Sequence, residues 1–169
     1  MRTPLVSALA SAAVLAAAPF AMANVPLTQV SADPFTNSTS QHATEVEPDT
    51  FANGATVVGA FQVGRFFNGG ATDIGFARSG DGGATWDAPG FLPGMTFSSG
   101  AATSPFQRVS DASVAYDAAH STWLISSIPL LPSTSVPTVF VNRSTDDGRT
   151  WSTPVQIPPP ASHLSLIHI

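Results

Sequence analysis

Ser79-Gly80-Asp81-Gly82-Gly83-Ala84-Thr85-Trp86 recurs 65 residues later as Ser144-Thr145-Asp146-Asp147-Gly148-Arg149-Thr150-Trp151. Both octapeptides satisfy S-x-D-x-G-x-T-W. The preceding residues repeat at the same offset: Ile74, Phe76 and Arg78 correspond to Val139, Val141 and Arg143. Further upstream, Glu47–Asn53 aligns with Asp111–Asp117 at an offset of 64. Self-similarity at a fixed period is the signature of a repeat architecture, in which each unit buries its apolar face against the next.

Within each unit the pattern is that of strands. The first unit predicts strands near 48–52, 56–63, 73–79 and 85–88. The second predicts them near 112–116, 122–128, 138–144 and 150–157. Alternation is clearest where Ile74, Phe76 and Arg78 share a face. Asn53-Gly54, Asn68-Gly69-Gly70, Asp81-Gly82-Gly83 and Asp147-Gly148 supply the turns. No helical period persists beyond the N-terminal segment. Four antiparallel strands per unit with radial repetition describe an all-β chain of β-propeller blades, about two of them, in an incomplete propeller.

Residues 1–23 read as a signal peptide. Met1-Arg2 is a short basic start, an alanine-rich apolar stretch runs from Leu5 to Phe20, and Ala21-Met22-Ala23 sets cleavage after Ala23. The apolar stretch is interrupted by Pro19 and is shorter than the ~20 residues a membrane span needs. Residues 24–44 read as an extended lead-in, 45–90 as the first blade, 91–107 as a loop, 108–158 as the second blade and 159–169 as a tail. Residues 164–169, Leu-Ser-Leu-Ile-His-Ile, match one reading frame of a transposon-type sequencing adapter, so they are expected to be an artefact; the alternative is an ordinary apolar strand.

Composition excludes several classes. The 169 residues hold no cysteine, so disulfides, thiolate metal sites and cysteine nucleophiles are excluded. The six basic residues are all arginine, against 11 acids. Removing Arg2 with the leader leaves five against 11, a net charge of −6, which offers no footprint for nucleic acid or an anionic membrane. Export without cysteine fits a bacterial chain, secreted or periplasmic.

The octapeptides match the Asp box, also called the bacterial neuraminidase repeat, so residues 46–157 resemble the sialidase-like, Asp-box β-propellers. That superfamily includes sialidases, endo-glucanases and non-enzymatic proteins. The box residues, Ser79, Asp81, Gly83, Thr85 and Trp86 with Ser144, Asp146, Gly148, Thr150 and Trp151, are read as structural. The aspartates accept turn amides, the glycines take positive φ, and the tryptophans pin the turn into the blade. Each box holds too few carboxylates for the six to eight oxygens that calcium prefers.

The resemblance implies that a complete protein is a glycan-directed glycoside hydrolase of exo-sialidase type, or a non-catalytic glycan- or protein-binding or structural propeller. A sialidase of this kind uses three arginines for the substrate carboxylate, a tyrosine–glutamate nucleophile and an aspartate acid/base. No F-R-I-P motif is present. Neither Arg65 in Gly64-Arg65-Phe66-Phe67 nor Arg108 in Gln107-Arg108-Val109-Ser110 matches it, and Tyr116 reads as a packing residue. The catalytic residues are therefore unassigned, and this stretch is expected to be inactive by itself. His42, His120 and His163 show no metal-ligand spacing, and no cofactor fingerprint appears. Glycans are the expected partners.

Overall fold

The computed structural model describes residues 27–132 and 138–157. Residues 1–23, read above as a signal peptide, and the tail segment 159–169 lie outside them. The described chain forms an antiparallel sheet of eight strands: β1 (Ser40–Asn53), β2 (Thr56–Phe66), β3 (Ala71–Ser79), β4 (Gly90–Phe91), β5 (Arg108–Asp117), β6 (Thr122–Leu130), β7 (Val139–Ser144) and β8 (Val155–Ile157). Strands β1 to β4 form one four-stranded meander and β5 to β8 a second. The two blades are joined in the ladder only at Ala71 opposite Val109. The sheet is open, and no helix among the described residues is long and apolar enough to cross a membrane.

β2 and β3 are buried on both faces, which explains the run Val57–Val63 in β2, apolar but for Gln62. Side chains alternate across a strand, so the two faces meet different partners. Val58, Ala60 and Ile74 face the second blade and pack with Val109, Val114, Trp123, Ile125 and Phe140. Phe61, Val63 and Ala77 face the other way and are covered by Val30, Phe35, Trp86 and Phe91. Gly75 is required here, because a Cβ at this position would stand 2.5 Å from Cε2 of Phe61.

The extended lead-in supplies part of that cover. Asp33, whose side chain is buried, accepts the Ala43 amide at 2.9 Å and bonds the His42 ring at 3.1 Å, fastening the segment to β1. The first strand begins at Ser40, earlier than the sequence boundary at 45. The 91–107 stretch is more than a surface loop. Phe91 closes β4, a 3-10 turn spans Phe97–Ser99, and Leu92, Met95 and Thr96 are fully buried.

The fourth strands are shorter and later than the sequence suggests. After each octapeptide one amide returns to the third strand, Asp87 to the Arg78 carbonyl and Ser152 to the Arg143 carbonyl, both at 2.8 Å. Pro89 and Pro154 follow at the same offset. Proline has no N–H to donate, so pairing resumes only at Gly90 and Val155.

Burial of the tryptophans also differs from expectation. Trp86 and Trp151 are half-buried. The fully buried tryptophan is Trp123, 1% exposed, on the face of β6 that carries Ile125. Its ring packs against Tyr116 at 5.0 Å between centroids and Phe51 at 6.1 Å. Trp123→Ala is expected to destabilise the chain by about 3–5 kcal/mol, and Trp86→Ala by on the order of 1–2 kcal/mol, in proportion to its smaller buried area. Urea denaturation of both variants would show this ordering; the reverse ordering would contradict the packing described.

Candidate functional site

The two octapeptides form equivalent turns. Ser79 Oγ donates to Asp81 Oδ1 at 2.8 Å and accepts the Gly83 amide at 2.8 Å. Asp81 accepts the Thr85 amide at 2.8 Å and the Thr85 hydroxyl at 2.6 Å. In the second turn Ser144 bonds Asp146 and Gly148, and Asp146 accepts the Thr150 amide and hydroxyl at 2.9 and 2.5 Å. The Thr85 and Thr150 hydroxyls, then their amides, hold both carboxyls near pKa 2. Gly83 and Gly148 have φ of 91° and 81°. With every carboxylate oxygen engaged inside its own turn, these aspartates are poor candidates for acid/base chemistry.

A different constellation lies on the first strands. Glu47 and Asp111, repeat-equivalent at offset 64, both have φ of 53°, an uncommon left-handed conformation for non-glycine residues. Each sits at a register break, between Val46 and Asp49 in β1 and between Ser110 and Ser113 in β5. A bulge re-aims side chains and often adjoins a functional site. Both acids open onto one cavity of about 420 Å³, whose wall also includes Pro48, Ser113, Ser127 and Ile128.

A hydrogen-bonded chain connects the two acids. Gln62, 1% exposed in β2, donates through Nε2 to Glu47 Oε2 and lies 3.5 Å from Ser110 Oγ. Ser110 in turn donates to Asp111 Oδ1 at 2.6 Å. Asp49 closes the junction: its Oδ2 accepts the Val114 amide at 2.8 Å and the Ser113 hydroxyl at 3.0 Å. Neither Glu47 nor Gln62 stood out in the sequence as a site residue. The available signal was Gln62, a lone amide within the apolar run Val57–Val63.

The arginines and tyrosine weighed from the sequence are not on this cavity. Arg65 donates to Gln41 Oε1 at 3.3 Å. Arg108 donates to Asn68 Oδ1 and, at 2.9 Å, to the Gly69 carbonyl, with its guanidinium 5.5 Å from the Phe66 ring centroid. Tyr116 packs on Trp123. Among the described residues no group of three or more His, Asp or Glu is placed to hold a metal ion.

No family model and no curated protein matches the sequence. A solved structure does: a Hadza microbial sialidase, Hz136, superposes with a TM-score of 0.55 at 23% identity over 68% of this chain. The two blades have a sialidase-like β-propeller fold. The chain covers only 26% of the length of that sialidase.

A buried carboxyl lies apart from the cavity, whose own two acids are exposed. Asp73, 3% exposed, lines a pocket of about 330 Å³ with Phe35, Leu92, Pro93 and Ser99. Burial pushes its pKa up to about 7, partly opposed by the Ile74 amide and the Ser99 hydroxyl. Between pH 4 and 7 the unfolded chain has released this proton and the folded chain retains it. Stability is therefore greatest near pH 4 and falls toward pH 7, by on the order of 4 kcal/mol. Below pH 4 the depressed carboxyls of Asp81 and Asp146 act in the opposite sense, and their contribution is lost as pH falls toward 2. Urea unfolding at pH 4, 5, 6 and 7 should show the decline, and Asp73→Asn should flatten it. An unchanged slope in the variant would assign the pH dependence elsewhere.

Proposed function

We propose that this chain is part of an exported, glycan-directed propeller of the Asp-box, sialidase-like kind. In this reading residues 1–23 are a cleaved leader and the octapeptides are Asp boxes. The complete protein is a glycoside hydrolase, by kinship of exo-sialidase type. The observation that carries the proposal is the convergence of Glu47 and Asp111, from equivalent bulges of two blades, on one cavity. Glycoside hydrolysis uses a pair of carboxyl groups flanking the scissile bond, and here two acids share a cavity wall.

A second reading, a non-catalytic glycan- or protein-binding propeller, is favoured by Tyr116 and the arginines. A sialidase nucleophile must reach the substrate, whereas Tyr116 lies against Trp123. Arg65 and Arg108 are occupied by local acceptors.

The full chain, screened on a glycan array and with fluorogenic glycosides, is expected to retain glycans, and Glu47→Gln with Asp111→Asn should reduce retention by about tenfold or more. It is expected to release no sialic acid from a fluorogenic sialoside. Glycan retention unaffected by the double variant would refute the assignment of the cavity. Robust sialic acid release, lost on Arg65→Ala or Arg108→Ala, would overturn the expectation of inactivity.

A further inference from the structure

We infer that the Glu47–Asp111 cavity takes a neutral sugar, gripped through its hydroxyls, and discriminates against sugars that carry a carboxylate; this rests on the glycan-directed reading above and departs from its exo-sialidase type. The wall presents two carboxylates and three serines, Ser113, Ser126 and Ser127, and no arginine or histidine. Carboxylates are acceptors only, and their complements are O–H and N–H donors. Glu47 Oε2 and Asp111 Oδ1 are engaged by Gln62 and Ser110. Oε1 of Glu47 and Oδ2 of Asp111 accept nothing from the described residues, so each acid keeps one oxygen for a ligand hydroxyl.

An independent observation points to a ligand. Ser127, 1% exposed and on the cavity wall, has a hydroxyl with no hydrogen-bond partner among the described residues. A buried hydroxyl without a partner is costly, and a polyol satisfies it with either a donor or an acceptor. Pro48 and Ile128 add apolar surface for the C–H face of a sugar ring. The volume of about 420 Å³ falls in the range of ~300–1,000 Å³ typical of small-molecule sites.

The alternatives fit less well. A ligand carboxylate would bring a third negative charge against two, in a chain whose net charge is already −5. A divalent cation would find two carboxylates where calcium seeks six to eight oxygens. Gln62 is a positioning residue here: its amide holds one oxygen of the Glu47 carboxylate.

The test is a titration of the isotopically labelled full chain, followed by amide NMR. The ligands are the methyl glycosides of galactose, glucose, mannose and xylose, then N-acetylneuraminic acid, then calcium chloride. Saturable shifts at Ser113, Val114 and Ile128 are expected with at least one neutral glycoside, binding at least tenfold tighter than N-acetylneuraminic acid. Glu47→Gln and Asp111→Asn should each weaken that binding about tenfold, and Ser127→Ala severalfold. Asp117→Asn, at the end of β5, should leave it unchanged. Tighter binding of N-acetylneuraminic acid, or saturation by calcium with displacement of the sugar, would overturn this inference and leave the glycan-directed reading standing. Saturable binding of no sugar by a chain with dispersed amide signals would overturn both.

Discussion

A buried guanidinium holds the two blades in register. Arg78, at the end of β3, is 5% exposed, and arginine does not surrender its charge at physiological pH. A charge so placed must be paired and hydrogen-bonded or the fold does not persist. Within its own blade Arg78 reaches Asp87 at 2.9 Å. Its other donors cross to the second blade, Nε to the Asp147 carbonyl at 2.6 Å and Nη2 to Asp147 Oδ2 at 2.8 Å. Thr56 donates to the same carboxylate at 2.8 Å, and the Trp123 indole N–H approaches its other oxygen at 3.4 Å. Burial by itself would raise the Asp147 pKa, but these donors outweigh it and hold the carboxyl below its ordinary range. The ladder joins the blades at a single residue pair, so orientation depends on this clamp, on Asp49 at the far strands and on the apolar face between them.

The clamp also gives meaning to a difference between the octapeptides. Where the second has Asp147, the first has Gly82, and both take positive φ, 66° and 74°. Asp tolerates the left-handed region better than most residues, so the turn accepts a carboxylate where a neighbouring blade offers a cation. Next to it, a Cβ on Gly148 would stand 2.9 Å from Val58 Cγ2, so the second turn rests directly on β2 of the first blade. The first turn has no such neighbour: Gly82 instead donates to the Ala55 carbonyl at 2.7 Å, inside its own blade. Arg143, the repeat counterpart of Arg78, is exposed. The same local turn thus serves as a closed motif in one blade and as an inter-blade contact in the other.

The parts of this fold legible in the sequence are those whose bonds close locally. Ser79, Asp81, Gly83 and Thr85 satisfy one another within seven residues, so their types and spacing carry the turn on their face. Strand alternation in β3 was legible for the same reason. The fourth strands were misplaced because Thr85–Ala88 has strand-like composition, while the effect of Pro89 on the ladder decides where pairing begins. The motif tryptophans drew attention away from Trp123, whose burial depends on Phe51 and Tyr116 arriving from other strands. The candidate site was least legible. Glu47 and Asp111 aligned as repeat equivalents, but their convergence requires β1 to lie beside β5, and the Glu47–Gln62–Ser110–Asp111 chain joins three strands far apart in sequence. An aligned pair of acids carries no record of that lateral placement.

The account rests most on coupling between Arg78 and Asp147 across the blade junction. A double-mutant cycle with Arg78→Met and Asp147→Asn, followed by urea unfolding of the full chain, measures it directly; asparagine preserves tolerance for the left-handed turn. The pair is expected to couple by about 1–3 kcal/mol, whereas Asp147 and the exposed Arg149, 3.9 Å apart, should couple by less than about 0.5 kcal/mol. Additive effects at Arg78 and Asp147, with no coupling beyond that of Arg149 and Asp147, would show that the blades are held together by something other than this clamp.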